Sequence, residues 1–425
     1  MGRIAIVDGI RTPFVKAWTS FDDVPAQRLG AICARELLEM TRLDARLVDE
    51  VIFGAVAQPV EAANVARVIS LYAGIPKEKR AYTVSRNCAS GFEAVTSAAE
   101  KIRCGVDEVV IAGGAESMSN IPFVFRKETA KLFMKLGKAK TPIERLKLIL
   151  SFRPRHFAPV PGLLLGLTDP VCGLNMGQTA EIVAKELGIT RKEQDDFSLA
   201  SHKKASQSRM KLRDEIVPVI VPPGFDNVIE DDNGPRDDQT IAALSKLKAY
   251  FDKHTGSVTV GNSCQVSDGA CAFLVMDEGK AVSLGYKALG YLRAYSYTGL
   301  DPRKMGLGPA YSIPMVLKNA GLKLKDMDLI EINEAFAAQV LASVKLLASK
   351  KFCEESFGLS EPVGEINMEK LNVNGGAIAL GHPVGVTGSR LILTLLKELT
   401  RRNAKFGLAS LCVGGGQGGA VIVER

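Results

Sequence analysis

Hydrophobic positions in the first third of the chain follow two rhythms. Ile4-Ala5-Ile6-Val7 and Val51–Val56 are short apolar runs of strand length, and Asp107–Gly113 holds an unbroken apolar strand of the kind buried on both faces of a parallel sheet. Arg28–Met40 and Ser90–Arg103 instead carry helical spacing. In the second of these Phe92, Val95, Ala99 and Ile102 share one face, and Gly105 supplies a stop. The order is βαβ.

The last third repeats that order. Ala288–Ala294 reads as a strand, Pro309–Ala320 as a helix, and Leu329–Asn333 as a strand leading into a helix over Glu334–Ser349. A Gly-rich turn at 375–388 opens a helix over Ser389–Arg402, which ends in two arginines, as the helix dipole favours. Phe406–Leu411 and Ala420–Val423 are closing strands. The recurrence predicts two similar α/β halves. The texture between them differs. Residues 120–262 hold a basic run, a Pro-rich passage (Phe157–Gly162), a turn-rich stretch (Pro222–Pro235) and one clean helix start, Thr190 with Glu193 three residues on. An insertion of this kind on a rigid α/β scaffold usually shapes a substrate site.

Composition changes this picture little. Apolar residues make up 46% and charged residues 24% of 425, the balance of an ordinary globular chain with two or three domains' worth of core. No apolar stretch approaches the ~18 residues of a membrane span. The N-terminus runs straight into a strand without a presequence, so the expected location is cytoplasmic. The eight cysteines form no CxxC pair, which points to free thiols in a reducing compartment and to no metal site. Charge does change it. Residues 126–155 carry ten Lys/Arg against Glu128 and Glu144, so the net +7 of the chain is concentrated there. Leu132, Phe133, Leu136, Leu146 and Ile149 interleave with those charges. The segment therefore reads as a solvated amphipathic face, an attractor for anionic substrate groups, or a docking element for a partner or an anionic membrane surface.

Four stretches could carry chemistry. Cys88, in Asn87-Cys88-Ala89-Ser90-Gly91, precedes a helix; the helix N-terminus is expected to stabilise its thiolate, and its small neighbours let a carbonyl approach. Position alone equally allows a small buried residue. His382 alone among four histidines sits in a Gly-dense turn, GGAIALGHPVGVTGSR over 375–390. Cys412 ends a strand, where α/β folds keep their sites, and opens a glycine run that is weak support for a phosphate nest. Asn333-Glu334-Ala335-Phe336 follows an apolar strand; Asn333 is either a helix N-cap or an amide that orients a water or a substrate oxygen.

Together these stretches resemble the thiolase family. NCASGFEA (87–94) is similar to its nucleophile segment, and NEAF (333–336), GHP (381–383) and CVGGG (412–416) are similar to its other catalytic loops, in the same order. The resemblance runs from Ile4 to the last strand. It implies an α/β fold of two βαβαβαββ halves in a five-layered αβαβα arrangement: 1–119 plus 263–284, then 285–425, with 120–262 as the inserted loop domain. It implies thiolytic cleavage of 3-ketoacyl-CoA, or the reverse Claisen condensation, with an acetoacetyl-CoA-specific acetyltransferase as the alternative. Cys88 would be the nucleophile, His382 the base, Cys412 the acid/base at the α-carbon and Asn333 the holder of a water. Gly414, Gly381 and Cys264 would line the substrate, Cys264 standing where many thiolases have a small hydroxyl residue. Coenzyme A is then a substrate, and no cofactor, metal or nucleic acid is implied. The expected assembly is a homodimer or homotetramer. The middle segment is most similar to β subunits of fatty-acid-oxidation complexes, which implies an α-subunit partner; those subunits often have His where this chain has Asn333.

Three rivals are weaker. A ketoacyl synthase of the same superfamily uses two histidines where this chain offers His382 and Cys412. A non-catalytic acyl-CoA-binding protein has no need of all four motifs. A cysteine-dependent aldehyde dehydrogenase wants a GxGxxG after the first strand, and none is present.

Overall fold

The computed structural model describes residues 2–425. Along the chain, the first half runs β1 (Ile4–Arg11), α1 (Ala26–Thr41), β2 (Glu50–Gly54), α2 (Val65–Tyr72), β3 (Arg80–Val84), α3 (Ser90–Arg103) and β4 (Val109–Ser117). The intervening segment carries α4 (Lys127–Lys138), α5 (Pro142–Ser151), α6 (Met176–Leu187) and α7 (Arg191–Gln207). The chain then returns through β5 (Ser267–Asp277), which pairs antiparallel with both β1 and β4. The second half runs β6 (Gly290–Gly299), α8 (Gly308–Ala320), β7 (Leu329–Ile332), α9 (Ala337–Leu347), α10 (Thr387–Arg402), β8 (Phe406–Val413) and β9 (Gln417–Glu424).

The strands bond in the order β7-β8-β9-β6-β1-β5-β4-β2-β3, and Val15–Lys16 pairs beside β5. The two halves join where Ile4–Ile6 of β1 meets Gly290–Leu292 of β6. Packing, rather than pairing, makes five layers. Alternate residues of each strand feed different cores, as a period of two requires. Val109 and Ile111 of β4 pack outward with Leu29, Leu37 and Ile69 of α1 and α2. Val110 and Ala112 pack inward with Phe92 and Val95 of α3. That inner core continues through Leu391, Leu395 and Leu399 of α10 to Ala409, Leu411, Val421 and Val423 of the second half. The far face of the second half is covered by Ile313 and Val316 of α8 and Val340 of α9. Helices α3 and α10 are thus shared by both halves, and each is preceded by one of the chemically notable turns.

The second half departs from the expected repeat at its third strand. Only an isolated bridge, Ile330 to Leu371, stands there. The side chain of Asn372 replaces the missing ladder: its Oδ1 accepts Ile332 N–H and its Nδ2 donates to Ile332 O, both at 2.9 Å. The helix expected from Glu334 begins only at Ala337: Asn333–Ala335 run as a loop with a bend at Ala335, and Phe336 is extended, with φ −147° and ψ 142°. The capping box at Thr190 forms as the spacing predicts.

The basic segment folds into two helices, α4 and α5, that pack on each other and on residues 154–157. An aromatic cluster, Phe125–Phe133–Phe152–Phe157, closes its base. Met134, Ile143, Leu146, Ile149 and Leu150 are exposed. Among the described residues no helix is long and apolar enough to cross a membrane.

Candidate active site

Cys88 lies in the turn between β3 and α3. Ser90 ties that turn together: its Oγ accepts Arg86 N–H (2.9 Å) and donates to Asn87 O (2.7 Å). Asn87 takes a left-handed backbone, φ 44°, and its Nδ2 donates to Gly414 O at 2.8 Å. The turn after β8 is thereby clasped to the turn before α3. The Gly414 N–H, with the N–H of Cys88 itself, points at the Cys88 sulfur. Both favour a thiolate, yet burial outweighs them and moves the Cys88 pKa upward. The stabilised thiolate expected from the helix N-terminus is therefore not the resting state. Backbone dipoles are the smaller effect once the sulfur leaves water.

Cys412, one residue from the end of β8, is buried. Burial raises its pKa most, followed by the Cys88 and Cys264 sulfurs, which places three thiols around one space. Cys264 is pushed up to about 12 by burial and then by Cys88. Its N–H donates to Ala335 O (3.0 Å) and the preceding Ser263 bridges to Phe336, so the segment with Cys264 runs beside the loop that follows Asn333.

Asn333 leaves the end of β7 with its N–H on Ser410 O at 2.9 Å. It is not a helix cap. Its Nδ2 lies 3.4 Å from His382 Nε2, while its buried Oδ1 has no partner within the chain. Glu334 points the other way and braces three segments: it accepts Ser201 Oγ–H from α7 (2.6 Å), Asn372 Nδ2–H (2.8 Å) and Ile378 N–H (3.2 Å).

His382 is held on all sides. Its N–H donates to Gln265 O (3.2 Å), and its Nδ1 lies 2.6 Å from Thr387 Oγ1. Thr387 Oγ1 in turn donates to Pro383 O at 3.1 Å. A hydroxyl has one proton to give. With that proton on Pro383 O, Thr387 accepts Nδ1–H, and the Nε2 lone pair faces Asn333. Burial, and then Arg390, lowers the His382 pKa to about 4, so the ring is neutral near pH 7. Gly381 is required by its surroundings: φ is 102°, and a Cβ would sit 2.2 Å from Ser267 Oγ.

The seven residues singled out in the sequence thus lie on turns, or in the case of Cys412 on the last residues of β8, at the end of the layers where α3 and α10 begin. Reading the sequence missed the supports. Thr387 stands five residues after His382, and Glu116 breaks the apolar run of β4; both were visible as polar residues among apolar ones. Asn87, Ser201 and Asn372 carried no local signal, since their partners are far away in the chain.

Two α/β halves sharing a pair of central helices, with a thiol ahead of one and an imidazole ahead of the other, define a class of cysteine-bearing acyltransferases. The family model "Thiolase, N-terminal domain" matches residues 4–279, and "Thiolase, C-terminal domain" matches residues 286–425. A 3-ketoacyl-CoA thiolase of Pectobacterium carotovorum subsp. carotovorum (strain PC1) is 44% identical, over 99% of this chain and 96% of that protein. The Bacillus anthracis acetyl-CoA acetyltransferase structure superposes with a TM-score of 0.87 at 36% identity, covering 100% of this chain and 99% of the other. Human mitochondrial 3-ketoacyl-CoA thiolase in complex with CoA gives 0.85 at 35% identity, covering 100% and 98%. The chain belongs to the thiolase family.

Proposed function

We propose that this thiolase cleaves 3-ketoacyl-CoA with coenzyme A, yielding acetyl-CoA and an acyl-CoA two carbons shorter, through an acyl group carried on Cys88. The observation that carries the reading is the convergence of the Cys88, Cys412 and Cys264 sulfurs beneath the Gly414 N–H. A nucleophile and a second proton-carrying thiol meet there at a ready hydrogen-bond donor.

Cys88 starts as a thiol, so its attack needs a base. His382 is neutral and presents Nε2, and takes the proton as the sulfur bonds to C3 of the substrate. The C2–C3 bond breaks, and its electron pair leaves as the enolate of acetyl-CoA. Cys412 gives its proton to C2 and becomes the thiolate. CoA–SH then enters, gives its proton to the Cys412 thiolate and attacks the Cys88 thioester; the shortened acyl-CoA is released as the C–S bond to Cys88 breaks, and the Cys88 sulfur takes its proton back from His382. The negative oxygen on the acyl carbon is held by the N–H groups of Cys88 and Gly414. The enolate oxygen is held by the imidazolium N–H formed on His382 and by a water on Asn333. One such donor contributes ~3 kcal/mol to transition-state stabilisation. Gly381 and Cys264 line the thioester arm. Every step is proton or acyl transfer, so no metal or redox cofactor has a part in it.

Homodimeric or homotetrameric assembly and an α subunit of a fatty-acid-oxidation complex are the partners this reading carries. The hairpin of α4 and α5, with its exposed apolar and basic side chains, is the surface we assign to that subunit.

The test is direct. Incubation with acetoacetyl-CoA should leave an acetyl adduct on Cys88, and Cys88→Ser should lose thiolysis entirely while keeping the wild-type circular dichroism. A stable adduct on another residue, or thiolysis by the serine variant, sinks the assignment.

A further inference from the structure

The inner face of β4 carries two residues that do not belong to an ordinary apolar strand, Gly114 and Glu116. They are two apart and so project to the same side. A Cβ on Gly114 would lie 2.3 Å from Gly385 O, so the strand leaves a slot for the turn that bears His382. Glu116 fills the next position and is fully buried. Its Oε2 accepts Gly385 N–H (2.8 Å) and Val56 N–H (3.1 Å), and its Oε1 accepts Ala57 N–H (3.0 Å). No side-chain cation bonds to it. Three backbone donors from two turns therefore converge on one carboxylate, three residues from His382 and close enough for its charge to reach Cys88.

We propose that Glu116 is a positioning residue for the thiolase reaction, and that its carboxylate locks the turn at Gly385 so that His382 faces Cys88. This rests on the roles given to Cys88 and His382 above. The ionised form is the one that serves: a carboxylate offers only acceptors to the three N–H groups, whereas a protonated acid or an amide turns a donor toward one of them and loosens the clamp. Burial moves the Glu116 pKa up to about 7, against the opposing pull of the Ala57, Gly385 and Val56 N–H groups. The titratable groups around it are Asp268 of β5, Cys88 ahead of α3, and His382 in the same turn. Asp268 bonds to Ser119 Oγ and N–H. Burial shifts Cys88 up and holds His382 at about 4. Burial also raises Asp268 and, farther off, Glu334 and, to about 8, Glu331, so a limb near neutral pH is assigned to Glu116 through its loss in a variant that does not titrate there.

The experiment compares wild type with Glu116→Gln and Glu116→Asp in acetoacetyl-CoA thiolysis from pH 5.5 to 9, with Tm measured alongside. Wild type should lose kcat as pH falls through about 7. Glu116→Gln should lower kcat on the order of 10²-fold with KM little changed, since the misplaced base is not a binding group. It should also lack the limb near 7, because the amide does not titrate. Glu116→Asp should recover part of the rate and keep an acidic limb. Should Glu116→Gln keep the wild-type kcat, or keep the limb near 7, the proposal is overturned. A kcat loss that tracks a large fall in Tm, with the limb unchanged, overturns it as well. Absence of thiolysis in the wild-type protein would instead strike the reading of the function.

Discussion

At the scale of single residues, the governing effect at this site is desolvation. Cys88, Cys264 and Cys412 are all moved above the ordinary thiol range by burial, and His382 below the ordinary imidazole range. Burial favours the neutral form of each, so the resting site holds thiols and an imidazole rather than an ion pair. Proton transfers within the cavity then accompany every bond change. Cys412 has a separable part in this. Cys412→Ala should still be acylated on Cys88 by acetyl-CoA, with exchange of the acetyl-CoA methyl protons into deuterated buffer cut by on the order of 10³-fold. Exchange at the wild-type rate in that variant removes Cys412 from its role.

Among the elements, the hairpin of α4 and α5 stands apart. Its helices pack on each other and on residues 154–157, and none of its lysines bonds to a site residue. On the docking role proposed for this hairpin, its charge serves a partner and not the phosphates of coenzyme A. Replacing Lys131, Lys135, Lys138 and Lys147 with Gln should leave the KM for CoA within about two-fold in steady-state thiolysis. A rise of ten-fold or more would return the hairpin to the substrate site. The elements that do build the site are short turns braced by buried side chains. Glu334 joins α7, the Asn372 corner and the turn at Ile378. Asn372 stands in for a strand.

For the whole molecule, two buried histidines set a limit on the acid side. His382 and His202 are both lowered to about 4, in each case chiefly by burial. His202 also accepts Arg236 N–H at Nδ1 (3.2 Å), a bond lost on protonation. The unfolded chain takes up these protons near pH 6.5, the folded chain only near 4. Their share of stability is present above about 6.5 and drains away as pH falls toward 4, by about 3 kcal/mol per histidine. Urea unfolding at pH 7 and pH 5 should show it. The raised pKa values of buried Glu116 and Glu331 work in the opposite sense over this range, so the histidine share is read as the difference between wild type and His202→Gln, and an equal pH response in the two would mean that the His202 ring is not buried neutral.

Local pattern decided a good deal of this protein. Runs of period two and of period 3.6 marked the strands and helices of both halves, because each strand or helix must bury a face whatever its neighbours are. Short turns of small residues marked Cys88, His382, Cys412 and Asn333, because close approach by substrate excludes bulky side chains there. Tertiary structure decided the rest. The loop at Asn333–Phe336 overrode a helical pattern because Ser263 and Cys264 pair with Phe336 and Ala335. The missing third strand of the second half depended on one asparagine side chain finding Ile332. The protonation states reversed the expectation for Cys88, since depth of burial is a property of the assembled layers and not of the residues beside it in the chain. Glu116 reads as an anomaly in an apolar strand until the fold brings Val56, Ala57 and Gly385 to it, from 60, 59 and 269 residues away.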